Sequence, residues 1–249
     1  MAGHSKWANI KHRKGRQDAK RSKMVSKATR ELMLAAKLGG GDPDMNPRLR
    51  MAIDSAKEIN LPKDKIETAI KKGTGEITSG TLEEVAYEGY GPGGVALLVE
   101  AVTDSKNRTV SEIRKIFSKG GGNLGEYGCV SWMFQTFGVL SFDKSKYSED
   151  DLLEAGLEAG VDDVIDDGDY WEVRTSPDDF MQVKQAFQEA GIEMESAEVA
   201  KIPHTYMSLD KETAEKALKL YDQLDDHDDV QKVYTNFEIP DELYNELRN

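Results

Sequence analysis

Glycine and proline set the lengths of the elements this chain can form, and the pattern they punctuate changes along the sequence. Val25, Ala28, Leu32 and Ala36 recur at helical spacing, and Gly39-Gly40-Gly41 stops that run. Asn46-Pro47 places an N-cap residue before a proline at the first helical position, ahead of the stripe Leu49, Ile53, Ala56 and Ile59. Pro62 opens a third segment with Ile66, Ala69 and Ile70, closed by Lys71, Lys72 and Gly73. Residues 24–72 therefore predict a small three-helix bundle, and Gly73 to Gly80 reads as a linker.

Beyond the linker the period alternates. Strands are expected near Val85–Tyr90 and Val95–Val102 around the turn Gly91-Pro92-Gly93-Gly94. A helix follows over Thr109–Lys119, ended by Gly120-Gly121-Gly122, and then a strand with Val130, Trp132 and Phe134. From 137 the order is a strand at Val139–Phe142, a helix over Glu149–Ala159, strands at Val164-Ile165 and Tyr170–Thr175, a helix over Asp178–Ala190 and a strand at Ala197–Ile202. That β-α-β-β-α-β order is ferredoxin-like. A short strand at 206–209, a helix over Lys211–Leu224 and a strand at Val230–Phe237 remain. They supply the helix and closing strand that the middle segment lacks. The expectation is an α+β chain: an N-terminal three-helix bundle and two α/β domains, the last inserted into the middle one. The expected divisions are 1–80, 81–136 plus 204–249, and an acidic 137–203.

Net charge over the 249 residues is −13, but it is unevenly shared. Residues 1–75 hold 18 Lys/Arg and 8 Asp/Glu, a balance of +10, and the remainder carries 15 against 38, a balance of −23. Such a split points to a basic binding module on an acidic body; a solvated charged surface is the plain alternative. In residues 1–23, Lys6, Lys11, Arg13, Lys14, Arg16, Lys20, Arg21 and Lys23 face only Asp18. This reads as an arm held open by self-repulsion until a polyanion arrives. If about six of the cations contact phosphates, affinity falls on the order of a thousandfold between about 50 and 200 mM salt. Trp7, His4 and His12 offer flat faces to an unstacked base, while Trp7 serves equally well as a staple to the bundle. Arg48 and Arg50 either extend the arm's binding surface or are ordinary surface charges.

Catalytic signatures are absent from the sequence: no G-x-x-x-x-G-K-[ST], no H-E-x-x-H and no C-x-x-C. The four histidines are far apart in sequence, so neither a metal nor a cofactor is expected. Gly89-Tyr90-Gly91-Pro92-Gly93-Gly94 precedes a strand, which makes it a turn; a dinucleotide fingerprint would open a helix. Gly120 to Gly125 is either a helix cap with a loop or a backbone approach to an anion beside Lys119. Arg108 and Thr109, at the expected start of a helix, either receive a phosphate or, for Thr109 or Asn107, cap the helix. The carboxylates of 149–169 lack calcium-loop spacing and read as a solvated face, or as a surface that mimics nucleic acid or docks a basic protein. The single cysteine, Cys129, gives no disulfide framework, and no stretch approaches the roughly 18 apolar residues of a membrane span. The expected compartment is the cytoplasm.

Several motifs are shared with a known family. Ala2-Gly3-His4-Ser5-Lys6-Trp7, Asn46-Pro47-Arg48-Leu49-Arg50 and Glu88-Gly89-Tyr90-Gly91-Pro92-Gly93-Gly94-Val95 resemble the YebC/PmpR family. So do Thr103-Asp104 with Asn107-Arg108-Thr109, Gly121-Gly122-Asn123-Leu124-Gly125 with Gly128, and Asn236-Phe237-Glu238-Ile239-Pro240. The resemblance spans nearly the whole chain. It implies an N-terminal helical domain with two α/β domains, and a DNA-binding transcriptional regulator that is not an enzyme. Relatives linked to translation imply a second reading: a ribosome-associated factor that binds ribosomal RNA or tRNA and relieves stalling at proline-rich stretches. A third class, read from charge alone, is an acidic interaction module whose arm only neutralises the body.

Overall fold

The structure, a computed structural model, describes residues 17–78 and 80–248, the side chains of 17–21, 241, 244, 247 and 248 excepted. Its first element, α1 (Gln17–Gly39), starts within the segment expected to be an arm. The reason is local: from Gln17 to Leu38 there is no glycine or proline, and Ala, Lys, Arg, Gln, Leu and Met predominate. Next come α2 (Pro47–Glu58) and α3 (Lys63–Gly73). Asn46 caps α2 as expected, its side-chain carbonyl accepting from Leu49 N at 3.1 Å. The same buried amide donates to the carbonyls of Ala35 and Gly40, both at 2.8 Å, and so ties the end of α1 to the start of α2. Leu32, Ala35, Leu49, Ala56, Ile66 and Ala69 form the core between the three helices. Burial of each leucine contributes about 1.5–3 kcal/mol. Their small neighbours let the backbones approach: a Cβ on Gly73 would lie 2.2 Å from Met33 O.

An antiparallel hairpin follows, β1 (Glu83–Tyr90) with β2 (Ala96–Thr103), in register from Glu83 opposite Thr103 to Tyr90 opposite Ala96. The glycine-proline segment between them is the expected turn, with Gly91 N donating to Val95 O at 2.8 Å. α4 (Lys106–Lys119) begins three residues before the expected Thr109, because Ser105 takes the extended N-cap conformation. Gly120 N and Gly122 N donate to the carbonyls of Ile116 and Phe117, around Gly121 at φ 77°. Those two amides therefore close the helix, in the manner of a glycine C-cap. β3 (Asn123–Leu124) pairs with β1.

β4 (Phe134–Asp143) is one continuous strand where the sequence suggests two pieces; residues 131–133 form a single 3-10 turn before it. α5 (Glu149–Gly156), β5 (Val161–Asp167), β6 (Tyr170–Thr175), α6 (Phe180–Glu189) and β7 (Ser196–Pro203) complete the expected β-α-β-β-α-β order. The sheet order β5-β6-β4-β7, antiparallel throughout, is the split arrangement of a ferredoxin-like unit. Its core includes Leu140, Phe142, Val173, Val183 and Phe187, with the rings of Phe142 and Phe187 centred 4.6 Å apart. Much of its acidic run has local roles. Glu149, Asp150 and Asp151 occupy the first turn of α5, Asp151 forms a capping box with Ser148, and Asp166 pairs with Lys144 at 2.6 Å.

The chain then forms β8 (Met207–Ser208), α7 (Lys211–Asp225), β9 (Val230–Thr235), β10 (Phe237–Glu238) and α8 (Asp241–Arg248). β10 pairs in parallel with β8. β9 joins the first sheet, whose order is β3-β1-β2-β9. An α+β fold of N-terminal helices followed by two four-stranded sheets and the small β8–β10 pair is thus what forms, and β9, from beyond the ferredoxin-like sheet, completes the first. Contacts group the chain into two compact units, one holding Gly15–Cys129 with Lys216–Val233 and the other Val130–Glu215 with Tyr234–Asn249. No helix among the described residues is long and apolar enough to cross a membrane. The terminal helix α8 was not foreseen in the sequence.

Candidate nucleic-acid interface

Lys23, Lys27 and Arg30 recur at i, i+4 and i+7 on α1, which places them on one helix face. Within the same unit α7 ends at Asp225, and Asp226 to Asp229 turn the chain into β9. The Lys23 ammonium meets Asp226 Oδ1 at 3.0 Å and the Asp226 carbonyl at 3.0 Å. The Lys27 ammonium meets Asp225 Oδ1 at 3.1 Å and its carbonyl at 2.9 Å. Arg30 Nη2 lies 3.2 Å from Asp229 Oδ1. The two lysines thus satisfy carbonyls at the C-terminal end of α7, where the helix dipole favours positive charge.

Asp229 is the centre of this arrangement. It is 3% exposed. Its Oδ2 accepts from Arg108 Nη2 and from Thr109 Oγ1, both at 2.7 Å, and its carbonyl accepts from Val102 N at 2.8 Å. Burial opposes ionisation of the carboxyl, yet the Arg108 and Thr109 bonds and the charges of Arg108 and Arg30 outweigh it, so the pKa lies below the ordinary carboxylate value. Asp229 N donates to His227 Nδ1 at 3.1 Å, and His227 Nε2 lies 2.9 Å from Glu112 Oε2. Since Nδ1 accepts, Nε2 carries the proton and donates to Glu112.

Glu112, His227 and Asp229 bring potential metal-ligand atoms within 4.8 Å of one another. Every one of these groups already holds a hydrogen bond, and two guanidinium groups beside Asp229 repel a cation. The chemistry of the donor set therefore suits a hydrogen-bonded link between elements better than an ion.

Lys23, Arg30, Arg108, Glu112, Asp226, His227 and Asp229, with Lys115, Ile116, Lys119 and Gln223, line an open cleft of about 880 Å³; Lys27 and Asp225 lie beside it. Arg114, Lys115 and Lys119 are exposed on the outer face of α4 and hold no ion pair among the described residues. They were not singled out as binding residues in the sequence, although the cations of R-K-I-F-S-K, on the polar side of an amphipathic helix, are a readable signal. Nor was the D-D-H-D-D run at 225–229, which marks the partner of the α1 face.

The expected site residues fall in several places. Lys6, Trp7, Lys11, His12, Arg13, Lys14 and Arg16 lie outside the described residues, as do the side chains of Lys20 and Arg21. Lys23 and Arg108 reach the cleft, where both are held by carboxylates. Arg48 is elsewhere, bound to Glu31 at 2.7 Å and Glu84 at 2.6 Å. Burial works against its charge, but the two carboxylates prevail and raise its pKa. Arg50 donates to the carbonyls of Pro43 and Asp44 at 3.1 and 3.0 Å.

The whole chain is similar to proteins already described. A family model for the TACO1/YebC protein N-terminal domain matches residues 5–76, and one for the TACO1/YebC second and third domain matches 82–237. A protein of Maridesulfovibrio salexigens named "Probable transcriptional regulatory protein" is 57% identical over 249 residues, all of both chains. One with the same descriptive name in Sulfurihydrogenibium is 53% identical, covering 99% of each chain. The crystal structure of a conserved hypothetical protein from Aquifex aeolicus superposes with a TM-score of 0.84 at 46% identity, over 94% of this chain and 97% of that one. The sequence motifs, the helical bundle with its two four-stranded sheets, and both family matches lead to one assignment: the chain belongs to the TACO1/YebC family.

Proposed function

We propose that this chain is a non-enzymatic, nucleic-acid-binding regulator that acts on DNA in the control of transcription. The carrying observation is the placement of positive charge. Eight cations face a single acid in residues 1–23, within a chain whose net charge is −13. Further along, Arg48, Arg50 and Arg108, the cations expected to extend that surface, are held by carboxylates or carbonyls. The basic arm is thus the strongest electrostatic attractor for a polyanion, and the acidic body steers such a partner toward it. The names of the relatives support the transcriptional sense. The division into a binding domain over 1–80, a discontinuous domain over 81–136 and 204–249, and an acidic domain over 137–203 belongs to the same proposal, as does a cytoplasmic setting.

Phosphate contacts fix position without reading sequence, so the arm accepts DNA and RNA alike. Crosslinking in cells followed by sequencing of the bound nucleic acid decides between the polymers. Discrete promoter fragments are the expected result. Predominant ribosomal RNA or tRNA would overturn the transcriptional reading in favour of a ribosome-associated translation factor.

A further inference from the structure

We infer that the cleft between α1, α4 and the end of α7 is a groove for a phosphodiester backbone, and that Asp226 in its lining, with Asp225 beside it, acts as a built-in competitor. This rests on the nucleic-acid reading above and adds to it a second site, outside the N-terminal arm. Two carboxylates one residue apart meet two lysines one helical turn apart, Asp226 on Lys23 and Asp225 on Lys27. Phosphates along a strand would present the same sign of charge to the same ammonium groups. Across the cleft, Lys115 and Lys119 repeat the one-turn spacing with no carboxylate paired to them among the described residues.

The cleft-lining half of the competitor is held weakly enough to be exchanged: Lys23 and Asp226 have side chains 38% and 67% exposed, and an ion pair that open contributes little in water, whereas Lys27 and Asp225 are more enclosed. The Arg30–Asp229–Arg108 cluster is different: its carboxylate is buried, so it stays as the fixed floor of the groove. Both lysines also bond to backbone carbonyls at the end of α7, and those bonds survive loss of the two carboxylate charges. Substituting the aspartates therefore leaves the helix cap in place.

The test uses the full-length protein with a random-sequence DNA duplex and a single-stranded RNA as probes, read by fluorescence anisotropy. Asp225→Asn with Asp226→Asn is expected to bind roughly fivefold tighter at low salt, as two competing ion pairs are removed. Lys115→Gln with Lys119→Gln, on an exposed helix face, is expected to bind more weakly. Its salt dependence should be shallower by about 2 in the logarithmic slope. Asp162→Asn with Asp163→Asn, exposed on β5 in the other unit, changes net charge equally and is expected to leave affinity unchanged. Circular dichroism checks that each variant folds.

If wild type binds and neither cleft variant shifts the Kd, the groove is wrong and the arm alone suffices. An equal gain from the β5 control would also overturn it, because net charge would then explain the effect. Absence of binding by the wild-type chain to both probes would overturn the nucleic-acid reading itself, and the groove with it.

Discussion

Asp229 receives two arginines, a threonine hydroxyl and a backbone amide, while its own amide binds a histidine. Replacing it with Asn keeps the shape and removes the charge that neutralises Arg30 and Arg108. Because both arginines keep some solvent contact, the cost is about 2 kcal/mol, below the range for a fully buried pair. The expected fall in Tm is roughly 5 °C. The pKa of Asp229 is lowered in the folded state, so its contribution is complete above the unfolded carboxylate pKa and is lost as pH falls through the lowered value. The Tm gap between wild type and Asp229→Asn should therefore be full at neutral pH and close below about pH 4. A gap that persists in acid would remove ionic pairing as its cause. None of this was legible in the sequence. Arg108 was visible as a cation near a helix start, but its partner lies 121 positions away, and no local pattern couples them.

Helices and strands were easier to read than the contacts between them. Asn46-Pro47, Pro62 and the glycine triplets mark real boundaries because capping and φ restriction act within a few residues. Two boundaries moved for equally local reasons. α1 extends back to Gln17 because nothing breaks it after Gly15, and α4 starts at Lys106 because Ser105 already takes the extended N-cap conformation. β4 escaped because Gln135 to Gly138 looks like an interruption, yet Phe134 to Ser141 pairs with β7 without a break. Gly73 has a role beyond ending α3. A Cβ there would meet the Met33 carbonyl at 2.2 Å, and no rotamer of alanine relieves a clash with backbone. Helix propensity alone would favour Gly73→Ala by up to about 1 kcal/mol in a helix interior, and less at a last turn. Packing wins: α1 and α3 must part, at about 1–3 kcal/mol. Chemical denaturation should show Gly73→Ala less stable than wild type; an unchanged or raised midpoint would mean the two helices can slide apart freely.

At the scale of the molecule, charge was the most readable property and the net value the least useful one. The +10 and −23 balances predicted a basic region attached to an acidic body, and the structure shows how much positive charge beyond the arm is internally paired. Replacing Lys11, Arg13, Lys14 and Arg16 with Ala should therefore weaken nucleic-acid binding. The salt slope should become shallower by roughly three to four, with circular dichroism unchanged. Unaltered binding would mean that the arm is not the principal contact. Sheet membership was less legible than charge, since β9 belongs to a sheet whose other strands lie more than a hundred positions upstream. That order has a consequence during synthesis. The hairpin and α4 emerge from the ribosome early, but one edge of β2 stays open until the last strands arrive. An open edge is a template for pairing with another chain. The nascent protein thus passes through a long interval in which its ferredoxin-like unit can close while the earlier sheet still waits, and a truncation before residue 230 would leave that edge open permanently.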